Sequence, residues 1–192
     1  MTTWWWIRHG PTHASGLVGA TDLPADLSDR FALARLDLHL PDDALLVSSD
    51  LCRSITTADA IQRQRTRLEH APEIREINFG DWEGKTFDQA VALHPEIAHS
   101  YWRNPGDIAP PGGETWNQAS DRVEGFVQSM NRAYPNAHII GVAHFAVILT
   151  QLQRATRISA RSALSFRIDN LSVTRLEFLG PGWQVHAVNH IP

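Results

Sequence analysis

Cysteine and long apolar runs are scarce in this chain of 192 residues. Its one cysteine, Cys52, cannot form a disulfide within the chain, which suits a reducing compartment. The longest nearly apolar stretch, residues 139–149, is interrupted by His144 and is too short to cross a bilayer. We therefore expect neither a disulfide-stapled miniprotein nor a membrane-spanning helix.

The N-terminal segment lacks the pattern of a secretion signal. It reaches Arg8 after a short run of Trp and Ile, with no basic region ahead of that run and no long apolar core. Together with the single cysteine, this predicts a cytoplasmic protein.

An excess of positive charge is also absent. The chain has 17 Lys and Arg against 21 Asp and Glu, whereas nucleic-acid-binding domains usually carry a clustered basic excess. Lys85 is the only lysine among the 17, so the other sixteen cations are arginines, which bind phosphate and carboxylate through two parallel hydrogen bonds. A biased codon usage would give the same ratio. We expect a small-molecule or protein partner, and neither nucleic acid nor membrane.

Histidine is abundant, with ten residues, yet no metal-binding pattern accompanies it. The chain has no HExxH, no CxxC and no dense cluster of His and Asp. A zinc site would have to be assembled from distant positions. We therefore expect no metal and no cofactor.

Short apolar runs alternate with helical patterns over most of the chain. Strands are predicted at residues 3–7, 44–47, 68–71 and 137–142, and helices at residues 29–40, 51–61, 85–98, 114–134 and 145–154. Such alternation favours a largely parallel sheet with helices on both faces.

The last part of the chain has a different pattern. Residues 163–168, 171–178 and 183–188 are strand-like and are separated by turn signals. They predict antiparallel additions to a mixed sheet. Because no repeat and no linker divides the chain, we expect a single domain over residues 1–192.

Phosphate-binding residue types follow three of the predicted strands. Arg8 and His9 end the first strand, Arg53 lies in the helix after the second, and His144 follows the strand at 137–142. In open α/β sheets, residues at the carboxyl ends of the strands meet in one crevice. A lone Arg-His-Gly is equally typical of a solvated loop, but its recurrence with other cationic or imidazole groups favours a phosphate site.

Five segments, in order along the chain, resemble the signature of a known family. They are RHGPT at residues 8–12, SSDLCRSITTA at 48–58, REINFGDWEG at 75–84, PGGE at 111–114 and VAH at 142–144. Each is a modest match, but the combination is specific. It resembles the histidine phosphatase superfamily, which includes the cofactor-dependent phosphoglycerate mutases. The phosphatase branch of that superfamily is the better match.

The resemblance implies a three-layer α/β/α sandwich with a mixed, mostly parallel central sheet, and catalysis through a phosphohistidine. His9 would be the nucleophile, because a neutral imidazole attacks phosphorus at physiological pH. Arg8 and Arg53 would hold the equatorial phosphoryl oxygens. His144, if protonated, would add a third positive donor.

The family's acidic block supplies the proton donor. Glu76 is the matching residue, and Glu83 is the second choice because it is the other carboxylate in that block. The leaving alkoxide would take its proton from this acid, and the attacking water would return one. Substrate contacts are expected from Arg8, Thr12, Ser15, Arg53 and Phe145.

Four residues, at three places in the chain, depart from the family's pattern. Ser15 stands where Asn is usual, and Asp50 replaces a common proline close to Arg53. Phe145-Ala146 replaces a common Gly-Gly after the second histidine. These departures bear on efficiency, since they leave the nucleophile, the acid and the arginines in place.

Several aromatic residues have two interpretations. Tyr101, Trp102 and Trp116 either form a wall of the substrate pocket or pack in the core. The run Trp4-Trp5-Trp6 favours strand packing, and Cys52 is expected to be a small buried packing residue rather than a reactive thiolate.

The leading functional hypothesis is a metal-independent, histidine acid phosphatase-like phosphomonoester hydrolase, in class EC 3.1.3.-, acting on a small phosphorylated metabolite. One alternative is mutase-type phosphoryl transfer, although the family's phosphoglycerate mutases typically carry longer insertions before the PGGE segment. Another is a non-catalytic module that binds a phosphorylated ligand. The sequence is also compatible with a homodimer.

Overall fold

The structure, a computed structural model, describes residues 1–192 and contains one sheet of six strands. The strands are β1 (Thr2–Arg8), β2 (Leu45–Ser48), β3 (Thr66–Arg67), β4 (His138–Ala143), β5 (Val173–Phe178) and β6 (Trp183–His190). Across the sheet their order is β3-β2-β4-β1-β5-β6. Neighbours from β3 to β1 are parallel, whereas β5 pairs antiparallel with both β1 and β6. The prediction of a mixed, mostly parallel sheet is confirmed.

Seven α-helices accompany the sheet. They are α1 (Arg30–His39), α2 (Cys52–Ala60), α3 (Phe87–Leu93), α4 (Pro95–Arg103), α5 (Trp116–Ala133), α6 (Phe145–Thr156) and α7 (Ala160–Ala163). On one face of the sheet, α1 and α2 bury residues such as Leu36 and Ala58. On the other face, α5 and α6 contribute Val123 and Leu149 to a larger core cluster. The chain therefore forms three layers, as the resemblance implies.

The three consecutive tryptophans of β1 pack on both faces of the sheet. Trp4 and Trp6 belong to the larger core cluster and stack with ring centroids 4.7 Å apart. Trp5 points the opposite way and joins the cluster under α1 and α2, because side chains alternate along a strand. The indole N–H of Trp4 donates to Asn131 Oδ1 at 2.9 Å. These residues pack as a strand, as predicted.

The register between β1 and β4 decides where the polar residues meet. Arg8 is paired with Ala143, so His9 and His144 leave adjacent parallel strands at the same level. β2 lies on the other side of β4, and α2, which carries Arg53, follows it. All these side chains are thus delivered to the carboxyl edge of the sheet.

The segment predicted as one helix over residues 85–98 forms two helices. Thr86 begins α3 with a capping box. His94 has φ −140° and ψ 68° and ends α3, because the following Pro95 disfavours a helical conformation there. Pro95 then starts α4, since a proline at the first helical position loses no hydrogen bond.

Two short strand predictions are wrong. At residues 68–71 no strand forms, and β3 lies just before this segment. The N–H groups of Leu68 and Ala71 donate to the carbonyls of Leu46 and Ser48 in β2, each at 2.9 Å, without continuing the strand pairing. The apolar alternation at residues 163–168 is not a strand. It follows α7, which begins where Ser159 caps the N–H of Ser162.

No helix in this structure is long and apolar enough to span a bilayer.

Gly141 tests the packing of the tryptophan core. A Cβ at this position would lie 2.7 Å from Cζ3 of Trp6, and the stacked Trp4 ring prevents Trp6 from moving away. We expect Gly141→Ala to lower the free energy of unfolding by about 1–3 kcal/mol, the usual cost of overpacking. Urea denaturation measures this.

The matched control is Gly125→Ala, in the exposed middle of α5, where an added Cβ would meet no atom within 4 Å. This substitution should stabilise the chain by roughly 0.5–1 kcal/mol, because alanine favours the helix. Equal effects of the two substitutions would contradict the packing argument.

Candidate active site

A cavity of about 260 Å³ opens at the carboxyl edge of the sheet. Its polar walls come from Arg8, His9, Arg53 and Glu76. Most of the other lining residues are apolar, among them Leu17, Val18, Ile77, Phe79, Tyr101, Trp102, Pro105, Trp116, Phe145 and Leu164. The arrangement brings together an imidazole, two guanidinium groups and a carboxyl group beside an apolar chamber.

Hydrogen bonds fix the His9 ring and backbone. The Nδ1–H of His9 donates to the Gly10 carbonyl at 2.7 Å, because that oxygen can only accept. The His9 carbonyl accepts from Asn170 Nδ2 at 2.7 Å, and the Gly10 N–H donates to Thr57 Oγ1 at 2.9 Å. The lone pair of His9 is therefore on Nε2, which faces Arg53 Nε at 3.2 Å.

The surroundings of His9 keep its ring neutral. Burial, with further contributions from Arg53 and Arg8, lowers the pKa of His9 to about 3, although the Gly10 carbonyl acts in the opposite direction. The ring is consequently a competent nucleophile at every ordinary pH.

Arg53 lies at the centre of the site and is almost fully buried. Its Nε contacts both His9 Nε2 and His144 Nδ1, the latter at 3.3 Å. Its two terminal nitrogens donate to the carbonyls of Thr21 and Gly19, each at 2.7 Å. The orientation of its guanidinium is therefore fixed on every side.

Arg8 retains donors for a ligand. Its Nη1 donates to the Ile168 carbonyl at 2.7 Å, whereas its Nη2 makes no hydrogen bond within the protein and its buried Nε has no partner. The guanidinium carbon lies 5.5 Å from the centre of the Phe145 ring. A buried donor without a partner is costly, so an anion beside Arg8 would be stabilised.

His144 is present in the site but does not line the cavity. Its side chain is fully buried, and its Nε2 lies 3.3 Å from Ser54 Oγ. Burial, reinforced by the charges of Arg53 and other cations, lowers the pKa of His144 well below its ordinary value. These surroundings favour the neutral ring, which accepts a hydrogen bond from Arg53, over the protonated third donor that the sequence suggested.

Glu76 has the environment of a proton donor. Its Oε1 accepts from the Ile77 N–H at 3.0 Å, and its Oε2 accepts from the Ala146 N–H at 3.1 Å. Burial raises the pKa of Glu76, and this outweighs the opposing effect of these N–H groups and of Arg53 and Arg8. The shift is in the direction that a proton donor requires.

Glu83, the second candidate for the acid, lies outside the cavity. Its carboxylate binds backbone N–H groups of residues 19–21 and of Phe79. Thr12 and Phe145 line the cavity as expected, but Ser15 is exposed and is not brought to it.

Two of the departures from the family pattern are accommodated locally. Asp50 forms an ion pair with Arg75 rather than with Arg53. Ala146 supplies the N–H that holds Glu76. Cys52 is half-buried rather than fully buried, and burial together with Asp22 raises the pKa of its thiol, which argues against a thiolate.

The aromatic residues both pack and line the cavity. Tyr101 and Trp102 lie on α4, which extends to Arg103, beyond the helix predicted over residues 85–98. Their rings meet edge to face at 5.0 Å, and both line the cavity together with Trp116.

Sequence reasoning missed the residues that position the site. Asn170 and Thr57 hold the end of β1, and residues 19–21 hold Arg53. Thr57 lies inside a matched segment, which was a usable signal, whereas Asn170 is distant in the chain and in no matched segment. No group of three or more His, Cys, Asp or Glu residues is arranged to hold a metal ion.

Residues 4–191 match the family model of the histidine phosphatase superfamily, branch 1. The chain belongs to this superfamily. The match covers nearly every element of the fold and includes all the cavity residues described above. The recognition made from the five sequence segments is confirmed.

Individual relatives agree with this membership. The chain is 30% identical over 172 residues to the adenosylcobalamin/α-ribazole phosphatase of Escherichia coli, covering 86% of this chain and 84% of that one. It is 26% identical over 191 residues to the phosphatase PhoE of Bacillus subtilis, covering 95% of this chain and 92% of that one. These relatives support a phosphatase activity.

A solved structure confirms the fold class. The superposition on YhfR of Bacillus stearothermophilus has a TM-score of 0.90 and 26% identity, and it covers 100% of this chain and 98% of that one. The three-layer α/β/α arrangement is that of the histidine phosphatase fold.

The buried histidines predict how stability depends on pH. His9 and His144 both have a pKa below the ordinary value, so their contribution is complete above about pH 6.5 and is lost as the pH falls toward 3. We expect the free energy of unfolding to fall on acidification by up to about 1.4 kcal/mol per pH unit for each histidine.

Chemical denaturation between pH 7 and pH 4.5 measures this slope. In His144→Gln the slope of the unfolding free energy against pH should be smaller, because about one proton fewer is taken up on unfolding. His99→Gln, at an exposed position, is the control for the substitution itself. Identical slopes in wild type and His144→Gln would show that His144 is not the source of the effect.

Proposed function

We propose that the chain is a phosphomonoester hydrolase that works through a phosphohistidine on His9. The observation that carries the proposal is the fixed His9 ring, whose Nε2 lone pair faces Arg53 at the cavity that also contains Arg8 and Glu76. The catalytic set is thus His9, Glu76, His144, Arg8 and Arg53, with His144 acting through Arg53.

In the first step, the Nε2 lone pair of His9 leaves its hydrogen bond with Arg53 Nε and attacks phosphorus. The N–P bond forms as the P–O bond to the alcohol breaks, and the departing oxygen takes a proton from Glu76. The hydrogen bond to Gly10 supports the positive charge that the ring gains in this step. Burial lowers the pKa of His9 and raises that of Glu76, which are the directions that this step requires.

In the second step, water attacks the phosphohistidine. The Glu76 carboxylate takes a proton from the water, the N–P bond breaks, and inorganic phosphate leaves. Glu76 is then protonated again and His9 is neutral, so no metal or cofactor is required to balance the cycle. Metal independence is part of the proposal.

The arginines stabilise the charge on the transferring group. The Nη2 of Arg8 makes no hydrogen bond within the protein, and its buried Nε has no partner. The Nε of Arg53 points toward the attacking nitrogen. Hydrogen-bond donors that are already oriented stabilise the negative charge of the transferring group most strongly in a site with little water.

The cavity favours hydrolysis of an uncharged alcohol over mutase chemistry. A phosphoglycerate carries a carboxylate besides its phosphate, and Arg8 and Arg53 are the only lysines or arginines among the lining residues. The other walls are largely apolar. A second anion would therefore lie against apolar walls without a partner, at a desolvation cost.

The domain, the substrate class and the location expected from the sequence are part of the same proposal. We propose one catalytic domain over residues 1–192, a small phosphorylated metabolite as substrate, and a cytoplasmic location, for which the single free Cys52 is the support. The homodimer remains a prediction.

The acid is tested with Glu76→Gln. The variant should lose roughly 10²- to 10⁴-fold in kcat/KM on alkyl phosphates, whose leaving groups need a proton. The loss should be much smaller on p-nitrophenyl phosphate, because its phenolate leaves without one. Glu73→Gln, in the same segment but with an exposed side chain, serves as the control. An equal loss on both substrates would assign Glu76 to binding.

The nucleophile is tested by rapid quenching with labelled substrate in EDTA. We expect an acid-labile, alkali-stable label on His9, none in His9→Ala, and full labelling in His13→Ala, whose imidazole is exposed. Label on His144, or full turnover by His9→Ala, would refute the mechanism.

Other results would select the alternatives. Turnover that requires bisphosphoglycerate would indicate a mutase, loss of turnover in EDTA would indicate a metal enzyme, and tight phosphate binding without turnover would indicate a binding module.

A further inference from the structure

Glu83 is the most heavily hydrogen-bonded carboxylate near the site, yet it does not line the cavity. It accepts from the N–H groups of Gly19 at 3.1 Å, Ala20 at 2.8 Å and Thr21 at 3.3 Å, and from Thr21 Oγ1 at 2.6 Å. The Phe79 N–H is a further donor at 3.0 Å. One side chain therefore holds three consecutive peptide units.

Residues 19–21 form a loop whose other side binds Arg53. The carbonyls of Gly19 and Thr21 accept from the two terminal nitrogens of the guanidinium, each at 2.7 Å. Asp22 continues the attachment by accepting the Cys52 N–H at 2.7 Å, at the first turn of α2. Residues 19–21 thus connect the carboxylate of Glu83 to the guanidinium of Arg53.

The loop has little freedom to adjust. A Cβ at Gly19 would lie 1.9 Å from the Ile77 carbonyl and 2.6 Å from Glu83 Oε1. Backbone therefore approaches backbone at this point, and only glycine fits. A change in Glu83 must consequently be transmitted to the Gly19 and Thr21 carbonyls.

Arg53 depends on those two carbonyls for its orientation. No carboxylate pairs with its buried guanidinium, and its remaining contacts are the two histidine rings on Nε. The negative charge of Glu83 also faces Arg53 across the loop. Without these supports, the Nε of Arg53 would lose its fixed place beside His9.

We propose that Glu83 is a positioning residue for phosphoryl transfer, acting through residues 19–21 to orient Arg53 toward the phosphoryl group on His9. The proposal rests on the proposed function. Glu83 stays ionised in this role: burial opposes its charge, but the hydrogen bonds from Thr21, Phe79, Gly19 and Ala20 outweigh it and lower the pKa of Glu83.

A double-mutant cycle tests the proposal with p-nitrophenyl phosphate, for which proton donation matters least. Glu83→Ala should lower kcat/KM by roughly 10- to 10²-fold, as expected for a misplaced catalytic group. Glu83→Gln keeps one acceptor oxygen and should lie between wild type and Glu83→Ala. In an Arg53→Ala background, Glu83→Ala should change kcat/KM by less than about 2-fold, because its effect is transmitted through Arg53.

Binding of orthovanadate, a mimic of the transferred phosphoryl group, gives a readout independent of turnover. Titration calorimetry should show weaker binding in Glu83→Ala and no further weakening in the double variant. If the wild type hydrolyses no phosphomonoester, the proposed function fails, while the orthovanadate cycle still decides the role of Glu83.

Asp81→Asn is the matched control, because it removes one negative charge from the same turn at an exposed side chain. It should behave as wild type.

If Glu83→Ala does not fold, Thr21→Val tests the same contact. It removes only the hydroxyl donor to Glu83 and should lower kcat/KM by roughly 2- to 10-fold in the wild-type background, with no loss in the Arg53→Ala background. Equal losses in both backgrounds, or full activity and binding in a folded Glu83→Ala, would overturn the proposal.

Discussion

The buried guanidinium of Arg53 is the interaction on which the rest of the site depends. A cation removed from water costs several kcal/mol unless its donors are satisfied, and here carbonyls and neutral imidazoles satisfy them in place of a carboxylate. The choice has a functional consequence. A paired carboxylate would neutralise the charge, whereas carbonyls fix the group and leave the charge available to an anion.

The same burial shifts the pKa values of two neighbouring groups in opposite directions. Low polarity disfavours whichever form is charged, so it lowers the pKa of His9 and raises that of Glu76. In the proposed mechanism, these are the directions that a nucleophile and a proton donor require.

The sequence predicted the proposed catalytic residues better than the residues that hold them in place. His9, Arg53 and His144 could be placed together because they follow parallel strands, whose carboxyl ends share one edge. The contact between Glu83 and residues 19–21 could not be predicted, since its donors are backbone N–H groups, which every residue type possesses.

The errors have equally local causes. Apolar alternation at residues 163–168 resembles a strand, but Ser159 caps a short helix before it. The helical pattern at 85–98 continues through Pro95, which starts a second helix. The sequence left the protonation state of His144 open, because it depends on tertiary burial, which no pattern in the chain records.

The position of β1 in the sheet has a consequence for the nascent chain. β1 precedes the other strands of this sheet in the chain, yet its two neighbours are β4 and β5, which begin at His138 and Val173. Until these strands are made, a strand with three adjacent tryptophans therefore has two open edges and no core to enter. Such a segment is exposed to aggregation, so we expect β1 to be a chaperone-binding segment until β5 has been synthesised.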